Sequence, residues 1–199
     1  LDAITVRGVG PRPVALVTGS ARGIGKAVVL RLSHSHDCIV HYRSSEEEAE
    51  GVAQIARSNG AQVSVARADL RDETDVDQLF DRIRDEFGNL DVLVASAAAT
   101  RFGTLQSTQR RHLERTLATV VLSYHQMVGR MSTMLGDNAR VIAVSGLDAR
   151  FAQAGHGALG AAKAALESLT RSWAVELAPK GCTVNAVLPG AIATDSLDA

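Results

Sequence analysis

Three glycines in one short segment have the spacing that phosphate chemistry needs. The apolar run Val14–Val17 leads into Gly19, Gly23 and Gly25, and a helical pattern follows at once. Glycine allows a turn with positive φ, and without a Cβ the backbone can come close to a pyrophosphate. The amino end of the following helix would add free N–H groups and a partial positive charge. The segment therefore predicts the phosphate-binding turn of a dinucleotide site; the alternative is a glycine-rich turn without a ligand.

The elements that must position this turn alternate between strand and helix patterns. Strands are predicted at 14–18, 38–42, 62–67, 91–95, 140–145 and 183–188. Helices are predicted at 23–34, 46–59, 73–87, 108–135 and 158–178. The strands are continuous apolar runs, as expected when helices cover both faces of a sheet. We therefore expect one α/β domain over residues 13–199, a doubly wound parallel sheet of the Rossmann type, after a flexible tail at 1–12.

The composition argues against several partners. The 199 residues carry a net charge of −1 with no Lys/Arg run, which disfavours nucleic acid and anionic membranes. No apolar stretch is long enough to span a bilayer. Cys38 and Cys182 fall in separate predicted strands, so we expect no disulfide and a reducing, cytoplasmic location. The histidines and cysteines show no metal-ligand spacing, so no metal is predicted.

Further motifs resemble the short-chain dehydrogenase/reductase (SDR) family over nearly the whole chain. Besides the glycine segment, they are Ala68-Asp69-Leu70, Leu90-Asp91-Val92-Leu93-Val94, Lys163 at the start of an Ala-rich helix, and Val184-Asn185-Ala186-Val187 leading to Pro189-Gly190-Ala191-Ile192-Ala193-Thr194. The stretch from Lys163 to Lys180 is most similar to the acyl-carrier-protein reductases of the family, and among these to the SDR-type enoyl reductases. The resemblance implies hydride transfer from a nicotinamide cofactor, and a last strand and a substrate lid after residue 199.

The cofactor prediction is NADPH or NADP. An acidic residue at the end of the second strand usually binds the ribose hydroxyls of NAD, but here the sequence is His-Tyr-Arg-Ser-Ser, without a carboxylate. Arg22 and Arg43, with Ser44, would suit a 2′-phosphate; the alternative is that both arginines are ordinary surface residues. The cofactor-binding residues, several of them implied only by the resemblance, are Gly19, Ser20, Arg22, Gly23, Ile24, Gly25, Arg43, Ser44, Asp69, Leu70, Ser96, Ala97, Ala98, Lys163, Pro189, Gly190, Ile192 and Thr194.

The catalytic half of the site departs from the family pattern of Asn, Ser, Tyr and Lys. Lys163 is present, but Leu159 stands where the tyrosine is expected, and Gly146 takes the serine position beside Ser145. No Asn occurs between residues 99 and 137, and neither Tyr42 nor Tyr124 is expected beside Lys163. A positioned general acid is typically worth about 10²–10⁴ in rate, so simple ketone reduction needs another donor.

His156 is the candidate substitute. It lies seven residues before Lys163, a position that SDR-type enoyl reductases can use for their tyrosine, and glycines flank it. An imidazole can donate a proton near neutral pH, and an enolate needs only one hydrogen-bond donor. We therefore predict Lys163, His156 and Ser145 as catalytic residues. For His156 the alternative is a surface histidine without chemistry, and for Ser145 it is a strand-end residue directed elsewhere.

These expectations define an NADPH-dependent oxidoreductase that reduces a carbonyl or enoyl group of a small-molecule or acyl-carrier-bound substrate, with an atypical active site. Two alternatives remain open, because one fold hosts many chemistries. One is a catalytically inactive SDR homologue that binds NADP(H) as a scaffold or partner subunit, and the other is a non-redox enzyme. The small-residue helix after 158, by resemblance, implies a homodimer or homotetramer.

Overall fold

The architecture is a six-stranded parallel sheet covered by helices on both faces. A computed structural model describes residues 11–99, 101–190 and 192. The sheet order is β3-β2-β1-β4-β5-β6. The strands are β1 Val14–Val17, β2 Asp37–Tyr42, β3 Val63–Arg67, β4 Leu90–Ala95, β5 Leu135–Val144 and β6 Thr183–Val187. This order, with parallel neighbours throughout, confirms the predicted doubly wound Rossmann-type sheet.

The helices fill two layers, one on each face of the sheet. They are α1 Gly23–Leu32, α2 Glu46–Ser58, α3 Glu73–Phe87, α4 Arg110–Leu117, α5 Ser123–Met131 and α6 Gly157–Leu177. Alternate strand residues serve the two layers: Leu16 packs in the core that α3, α5 and α6 share, while Ala15 and Val17 pack with α1 and α2. Both faces of each central strand are therefore apolar, which explains the continuous apolar runs in the sequence.

The helix predicted near 108–135 is present but shorter and irregular. A π-helical turn, Ala118–Leu122, joins α4 to α5, and α5 ends at Met131. Strand β5 then begins at Leu135, before the predicted start at residue 140. The pairing of β5 with β4 is irregular between Leu90 and Val92, and Asn138 has a φ of 56°. Asparagine tolerates this left-handed conformation, so the strand continues through a polar segment that resembles a turn in sequence.

The end of the predicted tail is anchored where the structure describes it. The Arg12 guanidinium donates to the carbonyl oxygens of Ser33 at 2.7 Å and His36 at 3.0 Å, and it pairs with Asp37. Residues 1–10 lie outside the described residues, so the boundary of the tail stays a prediction. No helix in the described ranges is long and apolar enough to cross a membrane.

Candidate cofactor and active site

A cleft of about 620 Å³ opens at the carboxyl ends of the central strands. The strand order reverses direction between β1 and β4, which is where doubly wound sheets bind ligands. Most of the predicted site residues line this cleft: Gly19, Arg22, Gly23, Ile24, Gly25, Arg43, Ser44, Asp69, Leu70, Ser96, Ala97, Ala98, Ser145, Lys163 and Pro189. The topology thus brings together residues that are far apart in sequence.

Some predicted residues do not line the cleft. Ser20 is buried, and its Oγ accepts the backbone N–H of His41 at 3.0 Å, so its hydroxyl is not directed at a ligand. Gly190, Ile192 and His156 are also absent from the cleft wall. Thr194 lies outside the described residues.

The glycine turn has the geometry that the sequence predicts. Gly19 and Gly23 have φ values of 66° and 55°, which favour glycine. A Cβ on Gly25 would lie 2.5 Å from the carbonyl oxygen of Gly19, so this contact between two backbone segments excludes any side chain. Helix α1 begins at Gly23 with no side-chain cap and no acidic residue in its first turn. Its amino end therefore offers free N–H groups to an anion.

His41 holds the glycine turn against the rest of the sheet. The backbone N–H of Gly19 donates to His41 Nδ1 at 3.0 Å, and His41 Nε2 lies 3.2 Å from the carbonyl oxygen of Ala68. Because Nδ1 accepts, the proton belongs on Nε2, which donates to Ala68. Complete burial lowers the pKa of His41 to about 4, so the ring is neutral near pH 7. Sequence reasoning missed this role, although a histidine at the end of an apolar strand was a visible signal.

Two exposed arginines give the part of the cleft beside the end of β2 a positive charge. Within the described part of the chain, neither the Arg22 nor the Arg43 guanidinium makes a hydrogen bond or ion pair. The Asp69 carboxylate is instead held by Arg71, with Arg71 Nε 2.8 Å from Asp69 Oδ1. Hydrogen bonding from Arg71, with a smaller contribution from the charge of Arg43, lowers the pKa of Asp69 to about 2. The arrangement leaves Arg22 and Arg43 available for an anionic ligand.

Lys163 lies at the inner wall of the cleft. Its ammonium donates to the carbonyl oxygen of Val144 at 2.5 Å, and the side chain is buried. Burial lowers the pKa of Lys163 to about 8, and the nearby charge of Asp148 opposes that effect. Leu159, one turn earlier on α6, lines the cleft beside it. The wall therefore presents an apolar side chain where the family tyrosine would place a hydroxyl.

Ser145 belongs to a buried polar network. Its Oγ donates to Glu167 Oε1 at 2.8 Å, and the same carboxylate pairs with the Arg150 guanidinium at 3.2 Å. Glu167 is only 7% exposed, so burial of its charge depends on these two partners. Because the hydroxyl proton of Ser145 is directed to Glu167, Ser145 can offer an incoming group only an acceptor.

Tyr124 is closer to Lys163 than the sequence suggested. Both residues line a second, much smaller cavity beneath the cleft. The Tyr124 hydroxyl lies 3.1 Å from Thr170 Oγ1, which itself donates to the carbonyl oxygen of Leu166 at 2.8 Å. Burial raises the pKa of Tyr124 to about 12. Tyr124 is thus a core residue that is hydrogen-bonded within the protein, and it does not replace the missing acid.

His156 lies at the amino end of α6, one side chain away from the cleft. Its Nδ1 is 3.4 Å from Asp148 Oδ2. The imidazole also packs against the ring of Phe102, with centroids 4.5 Å apart, and Phe102 lines the cleft. The predicted donor is therefore paired with a carboxylate and separated from the cleft by an aromatic side chain.

Sequence reasoning also missed four cleft residues from the segment after β4. Ala99, Phe102, Arg115 and Thr119 line the cleft, and Thr119 belongs to the π-helical turn between α4 and α5. Thr119 Oγ1 donates to the carbonyl oxygen of Arg115 at 2.9 Å, so its proton is directed to the backbone. Arg115 and Thr119 fall within the helix predicted at 108–135, whereas Ala99 and Phe102 lie in a segment without a predicted strand or helix. No local pattern indicated which of these side chains would face the cleft.

No metal centre is formed by the residues that the structure describes. No group of three His, Cys, Asp or Glu side chains in these ranges is arranged to hold an ion.

The fold and the cleft define a class of nucleotide-binding α/β protein with a buried lysine at its catalytic end, and comparison with known proteins identifies the family. Residues 13–199 match the family model described as short chain dehydrogenase. The chain belongs to the short-chain dehydrogenase/reductase family, which confirms the resemblance found in the sequence.

Individual relatives are similar over most of the chain. A 1-cyclohexenylcarbonyl-CoA reductase from Streptomyces collinus is 32% identical over 188 residues, which cover 94% of this chain and 67% of the relative. A 3-oxoacyl-acyl-carrier-protein reductase FabG from Staphylococcus aureus is 31% identical and is covered to 76%, with 93% of this chain aligned. The crystal structure of a short chain dehydrogenase from Burkholderia cenocepacia in complex with NADP superposes with a TM-score of 0.88 at 34% identity, covering 93% of this chain and 76% of that one.

Proposed function

We propose that this protein is an NADPH-dependent reductase of a carbonyl or enoyl group, with an acyl thioester as the preferred substrate class. One observation carries the proposal. A glycine turn, the buried Lys163 and two arginines that have no partner among the described residues line the same cleft. The end of β2 carries no carboxylate that could bind the ribose hydroxyls of NAD. The bound NADP in the similar Burkholderia structure supports the choice of cofactor.

The residues present fit this cofactor. The turn at Gly19–Gly25 has no room for a Cβ and would hold the pyrophosphate at the amino end of α1. Arg22, Arg43 and Ser44 would bind the 2′-phosphate, and Asp69 with Leu70 would border the adenine. Lys163 would hold the nicotinamide ribose, and Ser96, Ala97, Ala98 and Pro189 would complete the site. When bound, NADPH supplies the hydride.

The chain's own contribution to the reaction is orientation and charge stabilisation. Leu159 and Gly146 offer no proton, and the Ser145 hydroxyl proton is directed to Glu167. We assign the proton donor for the substrate oxygen to His156, with Lys163 as the positive charge that stabilises the developing oxyanion. Enoyl reduction of a thioester makes the smaller demand, because one hydrogen bond to the enolate oxygen is sufficient.

The similar proteins from Streptomyces collinus and Staphylococcus aureus support the thioester class. By name, one is a 1-cyclohexenylcarbonyl-CoA reductase and the other a 3-oxoacyl-acyl-carrier-protein reductase. Stopped-flow oxidation of NADPH with a crotonyl-type and an acetoacetyl-type thioester tests the proposal. We expect turnover of at least one of them. NADPH binding without any turnover would favour the alternative of an inactive homologue that serves as a scaffold or partner subunit.

We also propose a homodimer or homotetramer that uses α6 and the α4–α5 segment. The outer face of α6 carries the exposed small residues Ala161, Ala164 and Ser168 and ends at Val175, which is 76% exposed. Small side chains allow another helix to approach closely, and exposed apolar area favours association. A cytoplasmic location stays a prediction; Cys38 and Cys182, both buried free thiols, suit a reducing compartment.

A further inference from the structure

The place of the family serine is filled from another direction. Strand β5 ends at Val144, and the short turn Leu147–Ala149 folds back toward the same point. A Cβ built on Gly146 would lie only 2.5 Å from Asp148 Oδ1. A serine at 146 and the present position of the Asp148 carboxylate therefore exclude each other. The Asp148 carboxylate can therefore take its present position because residue 146 is a glycine.

A second glycine, on α6, also allows the turn that carries Asp148 to take this position. A Cβ on Gly160 would collide with the backbone carbonyl oxygen of Asp148. Gly160 directly follows Leu159, the residue at the tyrosine position. The turn that carries Asp148 therefore packs directly on the first part of α6. The backbone contact at position 160 requires glycine, and a side chain at position 146 would displace the Asp148 carboxylate.

The buried carboxylate of Asp148 has one hydrogen-bonding partner within the described residues. Its side chain is 7% exposed, and Oδ2 lies 3.4 Å from His156 Nδ1. Burying a carboxylate is costly unless a donor or a positive charge compensates. His156 supplies the donor from the start of α6, and Lys163 supplies a positive charge from further along the same helix. Arg150, the other nearby cation in sequence, is paired with Glu167.

We propose that Asp148 is the positioning residue of this active site: its carboxylate accepts the Nδ1 proton of His156 and so directs Nε2 to the substrate oxygen. The inference rests on the proposed reductase function. Phe102 packs against the imidazole and is 40% exposed at the cleft. The proposal therefore requires that a bound substrate displaces the Phe102 ring.

The proton transfer balances without any further reactant. The Nε2–H bond of the imidazolium breaks as the substrate O–H bond forms, and the electron pair of the N–H bond remains on the ring. The substrate carbon receives its hydride from the NADPH of the proposed function. The His156 side chain is 27% exposed, so solvent can return the proton to Nε2. Throughout, Nδ1–H stays bonded to Asp148, which fixes the tautomer of the neutral ring.

The most direct test is imidazole ¹⁵N NMR of the protein labelled at histidine, without cofactor. We expect neutral His156 to carry its proton on Nδ1 in the wild type and to lose this preference in Asp148→Asn. His125 packs against Trp173, with ring centroids 5.4 Å apart, and has no hydrogen-bonded carboxylate among the described residues. It therefore serves as the internal reference. An Nε2–H tautomer for His156 in the wild type would overturn the proposal, even if a variant failed to fold.

A double-mutant cycle provides the kinetic test. Asp148→Asn should lower kcat roughly tenfold, as part of the about 10²–10⁴-fold effect of a general acid, with KM and NADPH affinity unchanged. In a His156→Ala background the same change should have no further effect, because it acts only through the imidazole. If the two substitutions lower kcat independently, so that their factors multiply in the double variant, the proposal is overturned. If the wild type does not bind NADPH, the proposed function is refuted. The NMR measurement then still tests whether Asp148 accepts the Nδ1 proton of His156.

Discussion

At the scale of single residues, Leu159 separates cofactor binding from proton delivery. Lys163 keeps its place on the cleft wall, bonded to the Val144 carbonyl oxygen, although the side chain one turn earlier carries no hydroxyl. The positions that would bind NADPH do not depend on a tyrosine, so binding can persist where the family acid is missing. We therefore expect proton donation, rather than cofactor binding, to limit the rate.

Leu159→Tyr should raise the rate of carbonyl reduction, because it returns a phenol to the cleft beside the Lys163 ammonium. A general acid is typically worth about 10²–10⁴, so we expect a gain of at least tenfold in kcat. Single-turnover oxidation of NADPH measures it. Leu159→Phe is the matched control, since it adds the ring without the hydroxyl; an equal gain in both variants would show that the ring, not the acid, is responsible.

Arg43→Ala should weaken NADPH binding more than NADH binding. Hydrogen bonds to charged groups contribute about 1.5–3 kcal/mol, so we expect roughly a 10- to 100-fold higher Kd for NADPH. Fluorescence titration with both cofactors measures the difference. Arg31→Ala, an exposed arginine at the end of α1, is the control and should change neither affinity. Equal losses for the two cofactors in Arg43→Ala would contradict the 2′-phosphate assignment.

His41 should make the folded state sensitive to acid. Its pKa is lowered from 6.5 to about 4 by burial, so the unfolded chain binds a proton that the folded protein does not. The contribution of His41 to the free energy of unfolding is therefore fully present above about pH 6.5. It decreases as the pH falls toward 4, by up to roughly 3 kcal/mol.

Urea unfolding at several pH values measures this effect as the difference between the wild type and His41→Gln. The variant should lose less stability between pH 6.5 and pH 4, because it lacks the titrating ring. Parallel pH curves for the two proteins would show that His41 does not cause the acid sensitivity.

At the scale of elements, the strand–turn–helix unit at the start of the chain is fixed by backbone contact. Gly25→Ala places a Cβ against the carbonyl oxygen of Gly19, which is backbone and cannot turn away. We expect a loss of about 1–3 kcal/mol in the free energy of unfolding and a loss of NADPH binding. Denaturant unfolding and cofactor titration measure the two effects.

Gly51→Ala in α2 is the matched control for that substitution. Nothing lies within 4 Å of a Cβ at Gly51, which is in an exposed helix position. This variant should be about 0.5–1 kcal/mol more stable than the wild type, because alanine loses less backbone entropy than glycine. If both glycine variants change the free energy of unfolding by the same amount, the contact with Gly19 does not cause the expected destabilisation of Gly25→Ala.

The elements also show what the sequence could predict. Apolar runs and helical periodicity identified all six strands of the sheet and placed α1, α2, α3 and α6 closely, because these patterns are local. The π-helical turn Ala118–Leu122 packs against α6, and the early part of β5 pairs with β4. Neither was predictable, since both depend on contacts between segments that are distant in sequence. The roles of His41 and Asp148 depend on side-chain contacts between distant segments, and no spacing rule reports such contacts.

At the scale of the whole molecule, association through α6 is the property most open to test. Val175→Glu introduces a charge at the most exposed apolar residue of that helix and should shift the protein toward the monomer in size-exclusion chromatography with light scattering. Ile55→Glu is the control, because Ile55 is 47% exposed on α2, on the opposite face of the sheet. A monomeric wild type, or equal effects of both variants, would contradict the proposed assembly.

The measurement that tests the central claim most directly is calorimetric titration of the purified protein with NADPH and with NADH. The structure shows a cleft with a glycine turn and two arginines that have no partner in the described residues. We predict one NADPH bound per chain, at least tenfold more tightly than NADH, which corresponds to about 1.4 kcal/mol. No binding of either cofactor, or tighter binding of NADH, would contradict the account.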